Sequence, residues 1–256
     1  LGLGAIELGI VAQACGTATA GAPFLLTNYG ASEALLLAGE AAMAGHWLPR
    51  LAAGEALGTL AVSEGNDPLP HAIGVRFASG ALSGTKRGVT AGLNAHFAMV
   101  LAEGESGPVL TVAALVGARR KPIDSFDNSR GYADLHFAAT PATPIAQGPQ
   151  AFSIAREVLC RMAVATAHEQ LGGAEALMFM ARDYALERKA FGQPIGAFQS
   201  VKHRIAELYT LVELARANCI HAAASVGTLD FLKAAAAARL PATEAYDTDA
   251  RAGVQG

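Results

Sequence analysis

The sequence predicts an α+β fold in which a helical segment is followed by a β-domain and then by a helical bundle. Residues 1–55 carry apolar side chains at helical spacing, whereas residues 56–146 form short apolar segments separated by Gly, Pro, Asn and Asp. Residues 147–256 return to long helical patterns. We therefore expect an N-terminal helical domain (1–55), a middle antiparallel β-domain (56–146) and a C-terminal helical bundle (147–256).

Two helices are expected in the first zone. Ile6, Ile10 and Val11 recur at helical spacing, and Gly16 is a suitable end for this first helix. A second helix is expected over 32–44, with the Ser32 hydroxyl capping its start.

The middle zone has the residue pattern that is typical of β-strands. Examples of its apolar segments are Leu57–Val62, Ala72–Ala78, Gly84–Val89, His96–Ala102, Val109–Val116 and Ala133–Ala139. Ile73, Val75 and Phe77 alternate with other residues at a period of two, as expected for a strand with one buried face. Many short strands with turns between them favour an antiparallel sandwich or barrel over alternating β-α units.

Three long helices are expected in the last zone. They are placed at Phe152–Lys189, Phe198–Val226 and Leu229–Ala252, with a Gly- and Pro-containing hinge at 191–194 between the first two. Gly172 and Gly173 fall inside the first of these helices, where each costs up to ~1 kcal/mol relative to Ala. Close approach of another helix, or of a substrate, would offset that cost.

Composition excludes several classes of protein. Of 256 residues, 52% are hydrophobic and 16% are charged, which excludes a disordered chain. The net charge of −3 gives no global basic field for nucleic acid, and no uncharged apolar run approaches the ~20 residues of a membrane span. Three scattered cysteines and seven scattered histidines favour neither a disulfide framework nor a metal site. The small number of cysteines favours a reducing, cytoplasmic setting. Because the chain starts at Leu1 and stops at Gly256, we expect both ends to be incomplete.

One stretch resembles a known family. Tyr184–Ile195 (YALERKAFGQPI), followed by 198–202 (FQSVK), is similar to the signature of acyl-CoA dehydrogenases, in which an Arg stands three residues before Phe-Gly. Weaker matches occur in the family's order at 60–64 (LAVSE), 82–90 (LSGTKRGVT), 127–130 (DNSR) and 252–256 (AGVQG). The resemblance is to bacterial members, including those of steroid degradation, and it implies the same order of three domains.

The resemblance also implies FAD and the residues that bind it. Those residues are Ser63, Val89 and Thr90 on the strands, Arg188, Phe191 and Gln199 around the hinge, and Gln255 in the last motif. In the family, Thr90 would place a hydroxyl near flavin N5, while Arg188 and Gln199 would reach the FAD of a neighbouring subunit. Gly88 stands where the family often has a Trp stacked on the flavin. The alternatives are a solvated helix face for Arg188, ordinary hinge packing for Phe191, a helix cap for Gln199 and an ordinary strand residue for Thr90.

The catalytic base is not assigned to any residue of this chain. In most family members it is a Glu in a segment that would follow Gly256. In a minority it lies 29 residues before the hinge Phe, which here is Met162; Glu157 and Glu169 miss that position. Arg161 lies close to where many members have a CoA-contacting Arg, but we favour a surface arginine.

The resemblance implies FAD-dependent oxidation of an acyl-CoA to the 2,3-enoyl-CoA, with electrons passed to an electron-transfer flavoprotein. The expected assembly is a homotetramer or heterotetramer, since three long apolar helices present more apolar face than one bundle can bury. Two alternatives stay open: a non-catalytic partner subunit of a heteromeric acyl-CoA dehydrogenase, and a flavin oxidase or monooxygenase of the same fold. No metal, nucleic acid or membrane partner is expected.

Overall fold

A computed structural model describes residues 4–21, 27, 29–65, 67–126 and 130–255. The chain forms two compact units. The sheet unit is Pro23–Met162, and the helical unit combines Leu1–Ala22 with Ala163–Gly256. In the described parts of the chain, no helix is long and apolar enough to cross a membrane. The division into three domains stays a prediction.

The sheet unit contains an eight-stranded sheet and three helical segments. The helices are α2 (Tyr29–Ala38), α3 (Ala41–Ala52) and the first turns of α4 (Pro149–Glu187). The strands are β1 (Gly58–Ala61), β2 (Arg76–Ala78), β3 (Ala81–Thr90), β4 (Phe97–Gly104), β5 (Gly107–Ala114), β6 (Arg119–Ile123), β7 (Tyr132–Pro141) and β8 (Thr143–Gln147). Their order is β6-β7-β3-β2-β4-β5-β8, with β1 also paired to β4.

The α+β fold class is confirmed, but the β-domain is mixed rather than purely antiparallel. β1 and β2 both pair with β4 in parallel, whereas the other pairs are antiparallel. Parallel pairing requires a crossover between the strands. The chain supplies it because β1 and β4 are separated in sequence by β2 and β3.

Strand β4 is the centre of the core because it is buried on both faces. Phe97, Met99 and Leu101 belong to a cluster with residues of α2, α3 and α4, while the intervening Ala98 and Val100 belong to a second cluster on the other face of the sheet. All five side chains are completely buried. Large residues thus face the helices and small ones face the opposite side, as the two-residue period of a strand dictates.

The single helix predicted over 32–44 is wrong. α2 already begins at Tyr29 and ends at Ala38, and α3 starts at Ala41. Gly39 lies between them with φ of +67°, a conformation that ends a helix and favours glycine. The Glu40 carboxylate then accepts hydrogen bonds from the N–H groups of Ala42 and Met43 and caps α3.

The helical unit contains α1 (Ala5–Thr17), the rest of α4, α5 (Gln199–Ala224) and α6 (Phe231–Gln255). A hairpin of β9 (Lys189–Ala190) and β10 (Gln193–Pro194), then a 3₁₀ turn at Ile195–Ala197, joins α4 to α5. The three long helices of the last zone are therefore confirmed to within a few residues at each end.

Glycines bring α1 and α6 close to α4. A Cβ added at Gly172 would stand 1.9 Å from the carbonyl oxygen of Gln13, and one at Gly173 would stand 2.5 Å from the ring of Tyr246. A Cβ at Gly16 would similarly stand 1.8 Å from the Glu169 carbonyl oxygen. Of the two explanations considered for the glycines inside α4, close approach of other helices is the one observed.

One buried carboxyl interrupts the apolar stripe of α6. The stripe consists of small residues, Ala234, Ala235, Ala238, Ala242 and Ala245. Asp249 continues it one turn later, is completely buried, and has no hydrogen-bond partner for either oxygen among the described residues. Burial raises the pKa of Asp249 from 3.8 to about 7, although the positive charge of Arg204 opposes the shift.

Candidate functional site

A pocket of about 260 Å³ lies within the sheet unit. Its walls come from the segment after β1, from the end of β3 and from the first turns of α4. The lining residues are Leu60, Val62, Ser63, Pro68, Arg87, Gly88, Val89, Thr90, Leu159 and Met162. Three residues predicted from separate motifs, Ser63, Val89 and Thr90, are thus brought to one cavity.

Thr90 ends β3 at the pocket. Its carbonyl oxygen accepts a hydrogen bond of 2.7 Å from the buried Thr59 hydroxyl, which fixes the backbone. No group of the described residues hydrogen-bonds the Thr90 hydroxyl, and the side chain is half-buried. Val89 beside it is buried. The backbone of Thr90 is therefore held in place, and its hydroxyl remains available to donate to a bound molecule.

Ser63 is held by its own loop. Its hydroxyl lies 3.2 Å from the carbonyl oxygen of Gly65 and 3.1 Å from that of Asp67, so its hydrogen is donated within the loop. The Ser63 carbonyl oxygen accepts a hydrogen bond of 3.4 Å from the N–H of Arg87. A ligand would consequently find an acceptor at the Ser63 hydroxyl oxygen rather than a free donor.

Gly88 makes the β3 wall of the pocket irregular. It has φ of +63°, and the register of β3 against β7 shifts between Lys86 and Val89. Its N–H donates to Oδ1 of the buried Asp134 at 3.1 Å, which fixes the bulge. Within the described structure, no heavy atom lies within 4 Å of the point where a Cβ would stand at Gly88, so the space beside its backbone is open.

An ion pair between Lys86 and Glu64 holds the backbone on either side of the pocket residue Ser63. The Lys86 side chain is completely buried, and its Nζ donates to Glu64 Oε1 at 2.6 Å and to the Val62 carbonyl oxygen at 2.9 Å. Glu64 also accepts hydrogen bonds of 2.6 and 3.1 Å from the N–H groups of Gly74 and Val75. This pair is not among the residues predicted from the sequence, although Lys86 lies on the same face of β3 as the buried Leu82.

The pKa values of the pair follow from this environment. Burial lowers the pKa of Lys86, and the hydrogen bond and charge of Glu64 offset part of that shift. Burial alone would raise the pKa of Glu64, but the hydrogen bonds from Lys86 and from two backbone N–H groups outweigh it and lower that pKa. The lowered pKa of Glu64 keeps its carboxylate ionised at neutral pH, where it accepts the hydrogen bond from Lys86 Nζ.

The described residues that line the pocket include no carboxylate. Met162, at the position where a minority of the family carries the base, lies in the pocket wall. The space for its side chain depends on Gly30, where an added Cβ would stand 2.6 Å from the Met162 sulfur. The wall at this point is apolar and supplies no proton acceptor.

The favoured interpretation of Arg161 as a surface arginine is wrong. Its side chain is 18% exposed and forms ion pairs of 2.6 Å with Glu33 and 3.0 Å with Glu157. Two carboxylates on one guanidinium account for its place on α4. The sequence did not show this because Glu33 lies on α2, far away in the chain.

The other predicted cofactor residues lie in the helical unit. Arg188 and Gln199 are exposed on either side of the β9–β10 hairpin, and Gln199 contacts His203 at 3.4 Å. Gln255 ends α6, with its side chain outside the described residues. Of the motif at 127–130, residues 127–129 also lie outside the described residues.

Phe191 occupies an unfavourable backbone conformation. The hairpin turn is formed by Phe191 and Gly192, with φ of +51° and +83°. Two-residue turns with positive φ at both positions favour Asn-Gly, and a bulky residue in the left-handed region costs about 1–3 kcal/mol. The Phe191 ring is also 97% exposed, contacting Phe198 edge-on at 6.2 Å. The isolated hairpin therefore gains little from this ring.

In a comparison with known protein families, residues 151–255 match the model described as "Acyl-CoA dehydrogenase, C-terminal domain". Among curated relatives, acyl-CoA dehydrogenase IpdE2 of Mycobacterium tuberculosis is 36% identical over 138 residues, which cover 53% of this chain and 38% of that protein. The chain spans less than two thirds of the length of the curated relatives it matches first.

Solved structures share the fold. The steroid acyl-CoA dehydrogenase variant Tcur3481–Tcur3483 superposes with a TM-score of 0.82 at 26% identity, over 97% of this chain and 68% of that one. A glutaryl-CoA dehydrogenase from Mycobacterium smegmatis, in complex with FADH2, gives a TM-score of 0.88 at 19% identity, over 99% and 69% of the two chains. The fold expected from the sequence is thereby confirmed.

Proposed function

We propose that this chain, whose residues 151–255 match the acyl-CoA dehydrogenase C-terminal domain, is a member of that family. It would form the FAD- and substrate-binding part of an enzyme that oxidises a CoA thioester to its 2,3-enoyl form. One observation carries the proposal: Ser63, Val89 and Thr90, predicted from two separate motifs, line a single pocket. The steroid acyl-CoA dehydrogenase among the relatives supports a bulky acyl group as the substrate class, and an electron-transfer flavoprotein would accept the electrons.

The pocket fits the ring system of a flavin rather than a whole dinucleotide. Its volume of about 260 Å³ lies just below the ~300–1,000 Å³ of complete small-molecule sites. It combines apolar walls at Val62, Val89 and Met162 with the free Thr90 hydroxyl. The open space beside Gly88 allows a flat group to approach the β3 backbone.

FAD, when bound, supplies the acceptor for the two electrons and the β-hydrogen of the thioester. Thr90 would donate a hydrogen bond where negative charge develops on that acceptor, with its position fixed by the bond from Thr59. Val89 and Met162 would exclude water from the same face. Ser63, whose hydrogen is already donated within its loop, would offer an acceptor oxygen.

The residues of the helical unit would act on a neighbouring subunit. Arg188 offers a planar fork suited to the pyrophosphate of FAD, and Gln199 stands exposed on the other side of the hairpin. Gln255 is proposed as a further FAD contact. Phe191 is strained and almost fully exposed, which is accounted for if its ring packs against another chain. We propose a homotetramer or heterotetramer on these grounds.

The second candidate is a partner subunit that binds flavin without performing the chemistry. It is favoured by the lining of the pocket, where the described residues include no carboxylate and Met162 stands at one of the family's base positions. The two candidates agree on FAD binding. They differ in whether an acyl-CoA reduces the flavin that this protein holds.

Fluorescence titration with FAD tests the flavin site, comparing wild type with Thr90→Val. Loss of one hydrogen bond should raise the Kd by up to about tenfold. Thr143→Val, at an exposed position of β8, is the matched control and should bind like wild type. If wild type does not bind FAD, or if Thr90→Val and Thr143→Val bind equally well, the assignment of this pocket is wrong.

A further inference from the structure

We infer that Lys86 is a positioning residue of the pocket, which holds the Ser63 segment in register with the end of β3. The inference rests on the function proposed above. The Lys86 side chain is completely buried, and both atoms to which its Nζ donates belong to the residues on either side of Ser63. Its place is therefore directly behind a wall of the pocket.

The first half of the arrangement fixes both neighbours of Ser63. Lys86 Nζ binds the carbonyl oxygen of Val62 on one side of Ser63 and the carboxylate of Glu64 on the other. Glu64 is anchored in turn by the N–H groups of Gly74 and Val75. The backbone of Ser63 can then move only if one of these charge-assisted hydrogen bonds breaks.

The second half ties this segment to β3. Lys86 directly precedes the four pocket residues 87–90. The N–H of Arg87 donates to the carbonyl oxygen of Ser63, and the N–H of Gly88 donates to Asp134. Lys86 and the Arg87–Ser63 hydrogen bond consequently join the Ser63 wall to the Thr90 wall, while the bond from Gly88 to the Asp134 side chain fixes the bulge between Lys86 and Thr90.

Stability alone does not account for a buried lysine here. Replacing a buried ion pair by apolar residues of similar volume is often neutral or stabilising, whereas removing one partner leaves a costly unpaired charge. An apolar pair in this place would fill the space but would not bind the Val62 carbonyl or orient Glu64 toward Gly74 and Val75. What the charged pair adds is directional bonding at the pocket wall.

A double-mutant cycle separates positioning from stability. Lys86→Met should lower the urea midpoint because the largely buried Glu64 carboxylate loses its positively charged partner, and Lys86→Met/Glu64→Gln should recover most of that loss. If Lys86 positions the wall, the double variant should still bind FAD about tenfold more weakly than wild type, with an altered visible circular dichroism of the bound flavin. Lys121→Met, at an exposed position of β6, is the control and should match wild type in all three measurements.

Hydrogen exchange without FAD gives an independent readout. The amides of Arg87 and Gly88 should exchange about tenfold faster in the double variant, relative to amides of β4 in the same protein. If the double variant does not fold, Glu64→Gln alone should show the same change for Arg87.

The outcomes are distinguishable from a failure of the proposed function. A wild type that does not bind FAD refutes that function, while the exchange data still decide the role of Lys86. Unchanged exchange of Arg87 and Gly88 overturns the inference. A double variant with wild-type flavin affinity and dichroism overturns it equally.

Discussion

Replacing Asp249 by Asn should make the helical unit more stable at alkaline pH and remove a pH dependence that wild type shows. Asp249 is completely buried, and neither of its oxygens has a partner among the described residues. A carboxylate in that place is costly, so the folded state retains the proton. The amide of Asn has nearly the same shape and never ionises.

The magnitude follows from the two pKa values. Burial raises the pKa of Asp249 from 3.8 to about 7 in the folded chain. Below the unfolded value both states are protonated, and the group has no effect on the pH dependence of stability. As the pH rises from about 4 to about 7, only the unfolded state loses its proton, so stability falls by about 1.4 kcal/mol per pH unit. The total loss is on the order of 4 kcal/mol and is complete above the folded pKa.

The assay is urea unfolding followed by far-UV circular dichroism at about pH 4 and about pH 8. The free energy of unfolding of Asp249→Asn minus that of wild type should rise by roughly 4 kcal/mol between the two pH values. Asp247→Asn, on the exposed side of the same helix, should differ from wild type by no more than about 0.5 kcal/mol. A pH-independent difference for Asp249→Asn would refute the reasoning, since the carboxyl would then titrate alike in both states.

Three further predictions concern packing, the hairpin and a histidine. Gly16→Ala should destabilise the chain by about 3 kcal/mol or more, because its Cβ would meet the Glu169 carbonyl. In the control Gly45→Ala, on α3, the added Cβ meets no atom within 4 Å and should stabilise the chain by up to ~1 kcal/mol. Equal urea midpoints for the two variants would contradict the close helix contact. Phe191→Asn should raise the stability of the hairpin by about 1 kcal/mol, because it relieves the strain of the left-handed backbone conformation. The same variant should retain less FAD and have a lower sedimentation coefficient. Unchanged assembly would argue against a role for Phe191 between subunits. Burial lowers the pKa of His168 below 6.5, so the folded state resists protonation and stability is lost as the pH falls below 6.5. In His168→Gln this loss of stability at acid pH should be smaller when unfolding is measured as a function of pH. A pH profile identical to that of wild type would contradict the prediction.

The long helices could be predicted from the sequence because their signal is local. The periodicity and the punctuation at Gly192 and Pro194 place α4, α5 and α6 to within a few residues. The stop at Gly39 escaped detection because it depends on the backbone angle of one residue between two apolar helical segments. An uninterrupted apolar pattern does not reveal such a break.

Strands β6 and β8 were missed for a different reason. β6 (RRKPI) is a polar edge strand containing a proline, so it lacks the alternation of a half-buried strand. It exists because it pairs along β7, which is a contact between distant parts of the chain. The parallel pairing of β1 with β4 is non-local in the same way.

The residues of the candidate site also differ in whether a local sequence pattern could predict them. Family resemblance nominated Ser63, Val89 and Thr90, and the structure brings them to one pocket. The pairing of Lys86 with Glu64 and of Arg161 with Glu33 joins residues that are 22 and 128 positions apart. Neither pair has a spacing that a sequence pattern could display, and both depend on how the strands and helices pack.

Anaerobic reduction of the bound flavin tests the central claim most directly. The full-length protein, reconstituted with FAD, would be mixed with CoA thioesters ranging from a short straight-chain acyl group to a bulky steroid-derived one, and the visible absorption of the flavin followed. We predict that at least one thioester bleaches the flavin band and is recovered as its 2,3-enoyl derivative. Bound FAD that stays oxidised with every thioester would contradict the dehydrogenase function and leave the partner-subunit role, and a protein that retains no FAD would contradict both.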